Sequence, residues 1–155
     1  HQKTIDSLAS NSSDLGYRWF TLDSSNIRKW NGAADDIQKT LASFEDNLIT
    51  ENRSDLDVVY ELLIKLGLPL NTPVDEMHLN QYRVYSIGYG ALMIYLGEVD
   101  STIIAEEMIK LHDEKQPEIW KVVFKDNGFT SDSVKANVRK TLKAAGLNED
   151  SFITL

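Results

Sequence analysis

The sequence has 155 residues, a formal net charge of −8, 42% hydrophobic residues and no cysteine. That length and apolar share allow a single domain with a real core. The missing thiols exclude disulfides, cysteine-ligated zinc and thiol nucleophiles, and the acidic balance weighs against a duplex-binding surface, which needs clustered Lys and Arg to displace counterions.

Residues 1–15 are polar, with Ser7, Ser10, Asn11, Ser12 and Ser13 close together, and read as a linker or frayed end. A start at His1 rather than methionine points to a cut fragment or a tag remnant, and so to a piece of something longer. The first residues, His1-Gln2-Lys3-Thr4, show no secretory pattern, which makes the cytoplasm the default compartment. No apolar run approaches the ~20 residues of a membrane helix, so no membrane partner is expected. From residue 16 to 155 the pattern is that of one folded unit.

"YRWFTL" (17–22) is aromatic and β-branched and predicts a strand. "DSSNIRKWNG" (23–32) carries turn chemistry, with Trp30 as its packing anchor. Residues 33–46 place Ile37, Leu41 and Phe44 at helical spacing, with Asp35 and Asp36 toward the positive end of the dipole. A clearer helix starts behind Ser54, a good N-cap, with Asp55 and Asp57 in its first turn. Leu56, Val59, Tyr60, Leu63 and Leu66 make its inner stripe, Leu62 and Ile64 widen it, and Gly67 stops it.

The period then changes to two. "VDEMHL" (74–79) and "YRVYSI" (82–87) flank Asn80-Gln81 and predict a hairpin. Gly88 and Gly90 bracket a second turn before "ALMIYL" (91–96), which completes an antiparallel meander. A helix over 101–114 follows, with Ser101 as candidate cap and Ile104, Met108 and Leu111 inward. Next come a strand over 119–124, a helix over 131–146 and a strand over 151–155. The second helix turns Val134, Val138, Leu142 and Ala145 inward. Strand, helix and strand in this order imply a right-handed parallel crossover. The expected fold is α+β, a mixed sheet in which an antiparallel meander leads into a β-α-β-α-β segment, with helices packed on the sheet.

Catalytic motifs are scarce. The sequence contains no GxxxxGK[ST] phosphate loop, no GxGxxG and no GxSxG. The three histidines, His1, His78 and His112, form no metal-ligand pair, and His78 reads as a surface or satisfied residue. Asp113, Glu114, Lys115, Glu118 and Lys121 lack the spacing of a magnesium nuclease, the least favoured reading. Lys135, Arg139, Lys140 and Lys143 form a modest basic set on the helix over 131–146, a candidate contact to DNA backbone.

"KVVFKDNGFTSDSVKANVRK" (121–140) draws attention because ligands in many α/β enzymes sit where a strand turns into a helix. Each residue there also has a structural role. Thr130 or Ser131 can cap the helix, and Asp132 favours the positive end of the dipole. Gly128 is expected to adopt a backbone angle costly to other residues, and Phe129 to staple back toward Val134. Asp126 and Asn127 can bond the turn. Asp126 and Asp132 would also repel phosphate from this helix start.

Four blocks in order carry a resemblance: "LDSSNIRKWN" (22–31), "DLDVVYELLIKLGLPLNTPV" (55–74), "VYSIGYGALMIYL" (84–96) and "VVFKDNGFTSDSVKANVRKTLK" (122–143). The chain from about Gly16 to Leu155 resembles the C-terminal region of the modification subunit of type III restriction–modification systems. These are site-specific adenine-N6 DNA methyltransferases. The residues matching the family's last stretch are Phe124, Asp126, Gly128, Phe129, Asp132, Lys135 and Asn137, with Asn127 where a serine is expected.

The resemblance implies S-adenosylmethionine and DNA as partners of the parent protein. This chain carries neither the Asp-Pro-Pro-Tyr type motif that holds a flipped adenine nor the Phe-x-Gly-x-Gly type loop for the methyl donor. Its prolines, Pro69, Pro73 and Pro117, are never adjacent. No catalytic, cofactor-binding or metal-binding residue is therefore expected in it. The implied role is assembly, through the methyltransferase core, a second modification subunit or the restriction subunit, with Asp126, Asn127 and Phe129 as the candidate partner-facing corner. An accessory role on DNA backbone is the alternative.

Overall fold

The computed structural model describes residues 17–27 and 53–155. Trp30, the helix expected over 33–46 and the linker over 1–15 lie outside the described residues.

Helix α1 spans Asp55–Lys65. Its start is fixed by a capping box. The Ser54 hydroxyl accepts the Asp57 N–H at 3.2 Å, and the Asp57 carboxylate accepts the Ser54 N–H at 2.9 Å. Two donors that a helix start leaves orphaned are thereby satisfied. Gly67, at φ +72°, takes the left-handed turn that ends the helix. The buried face is Val58, Val59, Leu62 and Leu63. The expected stripe is thus rotated. Leu56 is 41% exposed and Ile64 62% exposed, because the sheet meets α1 along the 58–62 and 59–63 rows.

Strands β1 (Val74–Leu79), β2 (Tyr82–Ile87) and β3 (Leu92–Tyr95) form the expected antiparallel meander. Asn80 takes a left-handed conformation (φ 56°) in the first turn, which asparagine tolerates well. Helix α2 (Ile103–Lys115) leads to β4 (Lys121–Phe124), and α3 (Asp132–Ala144) leads to β5 (Phe152–Thr154). Both crossovers join parallel strands, and the five-stranded order is β1-β2-β3-β4-β5. The class is α+β with a mixed sheet, as the periodicities predicted.

Three boundaries differ from the expectations. The segment 17–22 pairs with no strand among the described residues. Instead it is fastened across α1 by side chains, so its β-rich composition reports local preference without a ladder to join. Ser101 does not cap α2. Thr102 occupies the N-cap without a capping side-chain bond, while the Ser101 hydroxyl donates to Asp100 at 2.9 Å. Strand β4 begins at Lys121, since Ile119 points into solvent and only Trp120 tucks inward.

The sheet is covered on both faces. Tyr82, Val84, Met93, Tyr95, Val122 and Phe124 point toward α2 and α3, meeting Ile104, Met108, Leu111, Val138 and Leu142. Tyr85, Ile87, Leu92, Ile94 and Val123 point the other way, toward Val58, Val59, Leu62 and Leu63 of α1. Two-sided burial explains why β3 and β4 read as largely apolar runs while edge strand β1 mixes exposed polar residues with half-buried Val74, Met77 and Leu79. Phe124 links the aromatic core, with ring centroids 5.4 Å from Phe129, 5.6 Å from Phe152 and 6.4 Å from Tyr95.

Candidate functional corner

The 121–140 stretch builds a corner at the carboxyl ends of the parallel strands β3 and β4. After Phe124 the chain makes one 3-10 turn over Asp126–Gly128, then reaches Ser131, whose hydroxyl accepts the Val134 N–H at 3.3 Å and caps α3. Ser131 is therefore the cap. The Thr130 hydroxyl instead donates across to the Val99 carbonyl at 3.3 Å.

This corner is stitched to the loop after β3. The Val99 N–H donates to the Gly128 carbonyl at 2.8 Å, and the Thr130 N–H donates to the Val99 carbonyl at 3.0 Å. The Asp126 N–H donates to Leu155 at 3.1 Å, and the Leu155 N–H to Phe124 at 3.0 Å, tying in the last strand. Gly128 corrects the sequence reading. Its φ is not positive, so no unusual backbone angle requires glycine there. A Cβ would instead stand 2.6 Å from the Gly97 carbonyl oxygen, well inside contact distance. Gly97 has the same kind of role, for a Cβ there would stand 2.5 Å from the Tyr95 hydroxyl oxygen. That hydroxyl donates to the Glu98 carbonyl at 3.0 Å, and burial pushes its pKa up.

Between the two loops lies a shallow depression of about 240 Å³, lined by Leu96, Gly97, Glu98, Lys125, Asn127, Gly128, Phe129 and Thr130. It is smaller than the roughly 300–1,000 Å³ typical of small-molecule sites. Helices α2 and α3 pack on the same face of the sheet. The two crossover helices therefore do not flank the ends of β3 and β4 from opposite faces, the arrangement in which doubly wound sheets hold their ligands. The backbone groups a ligand would use, at Val99, Gly128 and Thr130, are already bonded within the chain.

The structure brings the expected motif residues together, mostly for packing. Phe124 and Gly128 are buried and Phe129 is half-buried against Phe124. Asp126 is exposed and ion-paired with Lys135. Asp132 sits in the first turn of α3, and Asn127 and Asn137 face solvent. Of the candidate DNA contacts, Arg139 and Lys143 both pair with Glu149, at 3.1 and 3.2 Å, which holds that carboxyl below its ordinary value. Lys140 is exposed. Three of the four cations are thus partly neutralised by carboxylates of the same chain.

Sequence reasoning missed the opposite wall, Leu96 to Val99. Gly97 reads there only as the end of a strand, because its contact with Gly128 spans some 30 positions and leaves no local signal. Among the described residues no group of three His, Asp or Glu side chains is placed to hold a metal ion, and no helix is long and apolar enough to cross a membrane. No protein-family model matches the chain, and no curated protein matches it.

Proposed function

We infer that this chain is a non-catalytic C-terminal domain of a type III restriction–modification adenine-N6 DNA methyltransferase, working in the cytoplasm as an assembly module. Its partners are the methyltransferase core of its own or a second modification subunit, and the restriction subunit. Catalysis, S-adenosylmethionine and the DNA target belong to the parent protein. The ordered sequence blocks support the family. The observation that carries the non-catalytic part is the corner at 96–99 and 125–130. It stands at the carboxyl ends of the parallel strands, and its backbone groups are spent on joining two loops. An acidic domain suits contact with proteins better than contact with phosphates.

The DNA-backbone reading is weakened by Asp126 and Glu149, which partly neutralise Lys135, Arg139 and Lys143. A pull-down of this chain against purified methyltransferase core and purified restriction subunit tests the assembly role. Capture by at least one supports it, and capture by neither removes it. A salt-dependent shift of duplex DNA by the chain alone would instead favour the alternative.

A further inference from the structure

Asn127 is followed by Gly128, and the sequence holds one other such pair, Asn31-Gly32, which lies outside the described residues. An asparagine before glycine is the arrangement most open to attack by its own backbone, because glycine has no side chain to hinder the approach of its amide nitrogen. In the folded corner that nitrogen is held back. Gly128 is buried at the end of the 3-10 turn Asp126–Gly128. Its N–H donates to the Lys125 carbonyl at 3.0 Å, and its carbonyl accepts the Val99 N–H at 2.8 Å. One bond lies within the turn and the other crosses to the loop after β3. Attack also needs rotation about the Cα–C bond of Asn127, which a 3-10 turn fixes at a helical angle. Gly128 cannot follow such a rotation, since it stands so close to the facing loop that a Cβ would lie 2.6 Å from the Gly97 carbonyl oxygen. Asn127 itself is exposed.

We propose that Asn127-Gly128 is a self-modification site, a deamidation point that the stitched corner keeps shut and that local opening exposes. In the open corner the Gly128 nitrogen gives its proton to hydroxide and forms a bond to the side-chain carbonyl carbon of Asn127. The bond from that carbon to the side-chain nitrogen breaks, and the nitrogen leaves as ammonia with a proton from water, which regenerates the hydroxide. One water then opens the five-membered imide. Opening at the side-chain carbonyl gives aspartate, and opening at the main-chain carbonyl gives isoaspartate. No group is oxidised or reduced, and water is the only co-reactant.

The two products meet the corner differently. Aspartate keeps the backbone and adds a negative charge next to Asp126, whose carboxylate pairs with Lys135. Isoaspartate carries the same charge, and it also runs the main chain through the side-chain methylene, one carbon longer between residues 127 and 128. The turn has no room for that carbon, because the bonds to Lys125 and Val99 and the close approach to Gly97 fix where Gly128 stands. A corner that opens and forms isoaspartate does not close again, so the chemistry turns a transient opening into a permanent one. The fraction of molecules with the corner open sets the rate, as for any group that local structure protects. The site acts on the chain's own corner, whether or not the domain serves assembly.

The test follows the tryptic peptides 126–135 and 30–39 of the full chain by mass spectrometry, in mildly alkaline buffer with and without denaturing urea. Asn31-Gly32 calibrates the chemistry, since the two pairs react at comparable rates once the chain is unfolded. Asn127 in the native chain reacts at least about tenfold more slowly than in urea. Phe129→Ala removes the ring packed on Phe124 and leaves the Asn-Gly pair intact. It speeds native deamidation at Asn127 about tenfold, while Ser54→Ala, which weakens α1 on the other face of the sheet, leaves the rate near wild type. The chain bearing isoaspartate, separated by ion exchange, melts below the unmodified chain. Protection of Asn127 by less than about tenfold in the native wild-type chain would overturn the proposal, and that comparison stands even if Phe129→Ala fails to fold. A folded Phe129→Ala chain that deamidates at the wild-type rate, or equal acceleration by Phe129→Ala and Ser54→Ala at matched loss of melting temperature, would overturn the gating by the corner. Equal melting of modified and unmodified chains would overturn its permanence.

Discussion

Replacing Gly128 by alanine separates two explanations for a glycine. If its backbone angle mattered, the cost would be conformational. The structure instead places the new methyl 2.6 Å from the Gly97 carbonyl oxygen, and that oxygen belongs to backbone, which cannot swing aside like a side chain. Relief requires the two loops to part by a good fraction of an ångström. The bonds that would stretch are Val99 N–H to Gly128 and Thr130 N–H to Val99. Each contributes about 0.5–1.5 kcal/mol, so Gly128→Ala costs about 1–3 kcal/mol, the usual range for overpacking. For a chain of this size a loss of 2 kcal/mol lowers Tm by roughly 4–8 °C. Urea unfolding and thermal melting measure it. Gly67→Ala is the comparison, where φ is +72° and no atom lies within 4 Å of the added methyl, so strain alone acts. Gly128→Ala within about 0.5 kcal/mol of wild type would refute the stitched corner, since that is the range of an ordinary surface change.

Other outcomes follow from the same geometry. Phe124→Ala removes the fully buried ring between Tyr95, Phe129 and Phe152 and costs about 3–5 kcal/mol in urea unfolding. Ser54→Ala breaks the capping box and costs about 0.5–2 kcal/mol by the same measurement. A double-mutant cycle on Asp126 and Lys135 gives a coupling of at most about 1 kcal/mol, because both side chains are solvent-accessible. The attachment of residues 23–26, through Asp23 to Arg53 and through Ser25 and Asn26 to Glu61, is acid-labile. The Arg53 guanidinium lowers Asp23 from 3.8 to about 2. Burial pushes Glu61 up, but Lys65, Ser25 and Asn26 outweigh it and leave it lowered. Carboxylates with depressed pKa stabilise the attached form above their ordinary range, and that contribution disappears as pH falls through the lowered values. The NMR shift of the Ser24 amide proton, which donates to the Asp23 carboxylate at 2.6 Å, should therefore move between about pH 4 and 2, before those of β2 and β3 change.

The meander, both crossover helices and the last strand were legible because two-sided burial imposes strong local patterns. Val122-Val123-Phe124 can only be a central strand once flanked by amphipathic helices. Legibility failed where long-range contact overrides local preference. "YRWFTL" carries strand residues but meets α1, not a sheet edge. Leu56 and Ile64 fit a helical stripe, yet the sheet approaches α1 from the side of Val58 and Leu62. At the corner, the turn and the Ser131 cap were readable from composition, and the role of Gly128 was not. Its reason is an oxygen on Gly97 that approaches only in the folded chain.

The most direct measurement of the assembly role is sedimentation of the chain with each candidate partner at low salt. The partners are purified methyltransferase core, purified restriction subunit and duplex DNA. The prediction is co-sedimentation with at least one protein subunit and none with DNA. Co-sedimentation with duplex DNA alone, lost as salt is raised, would contradict it.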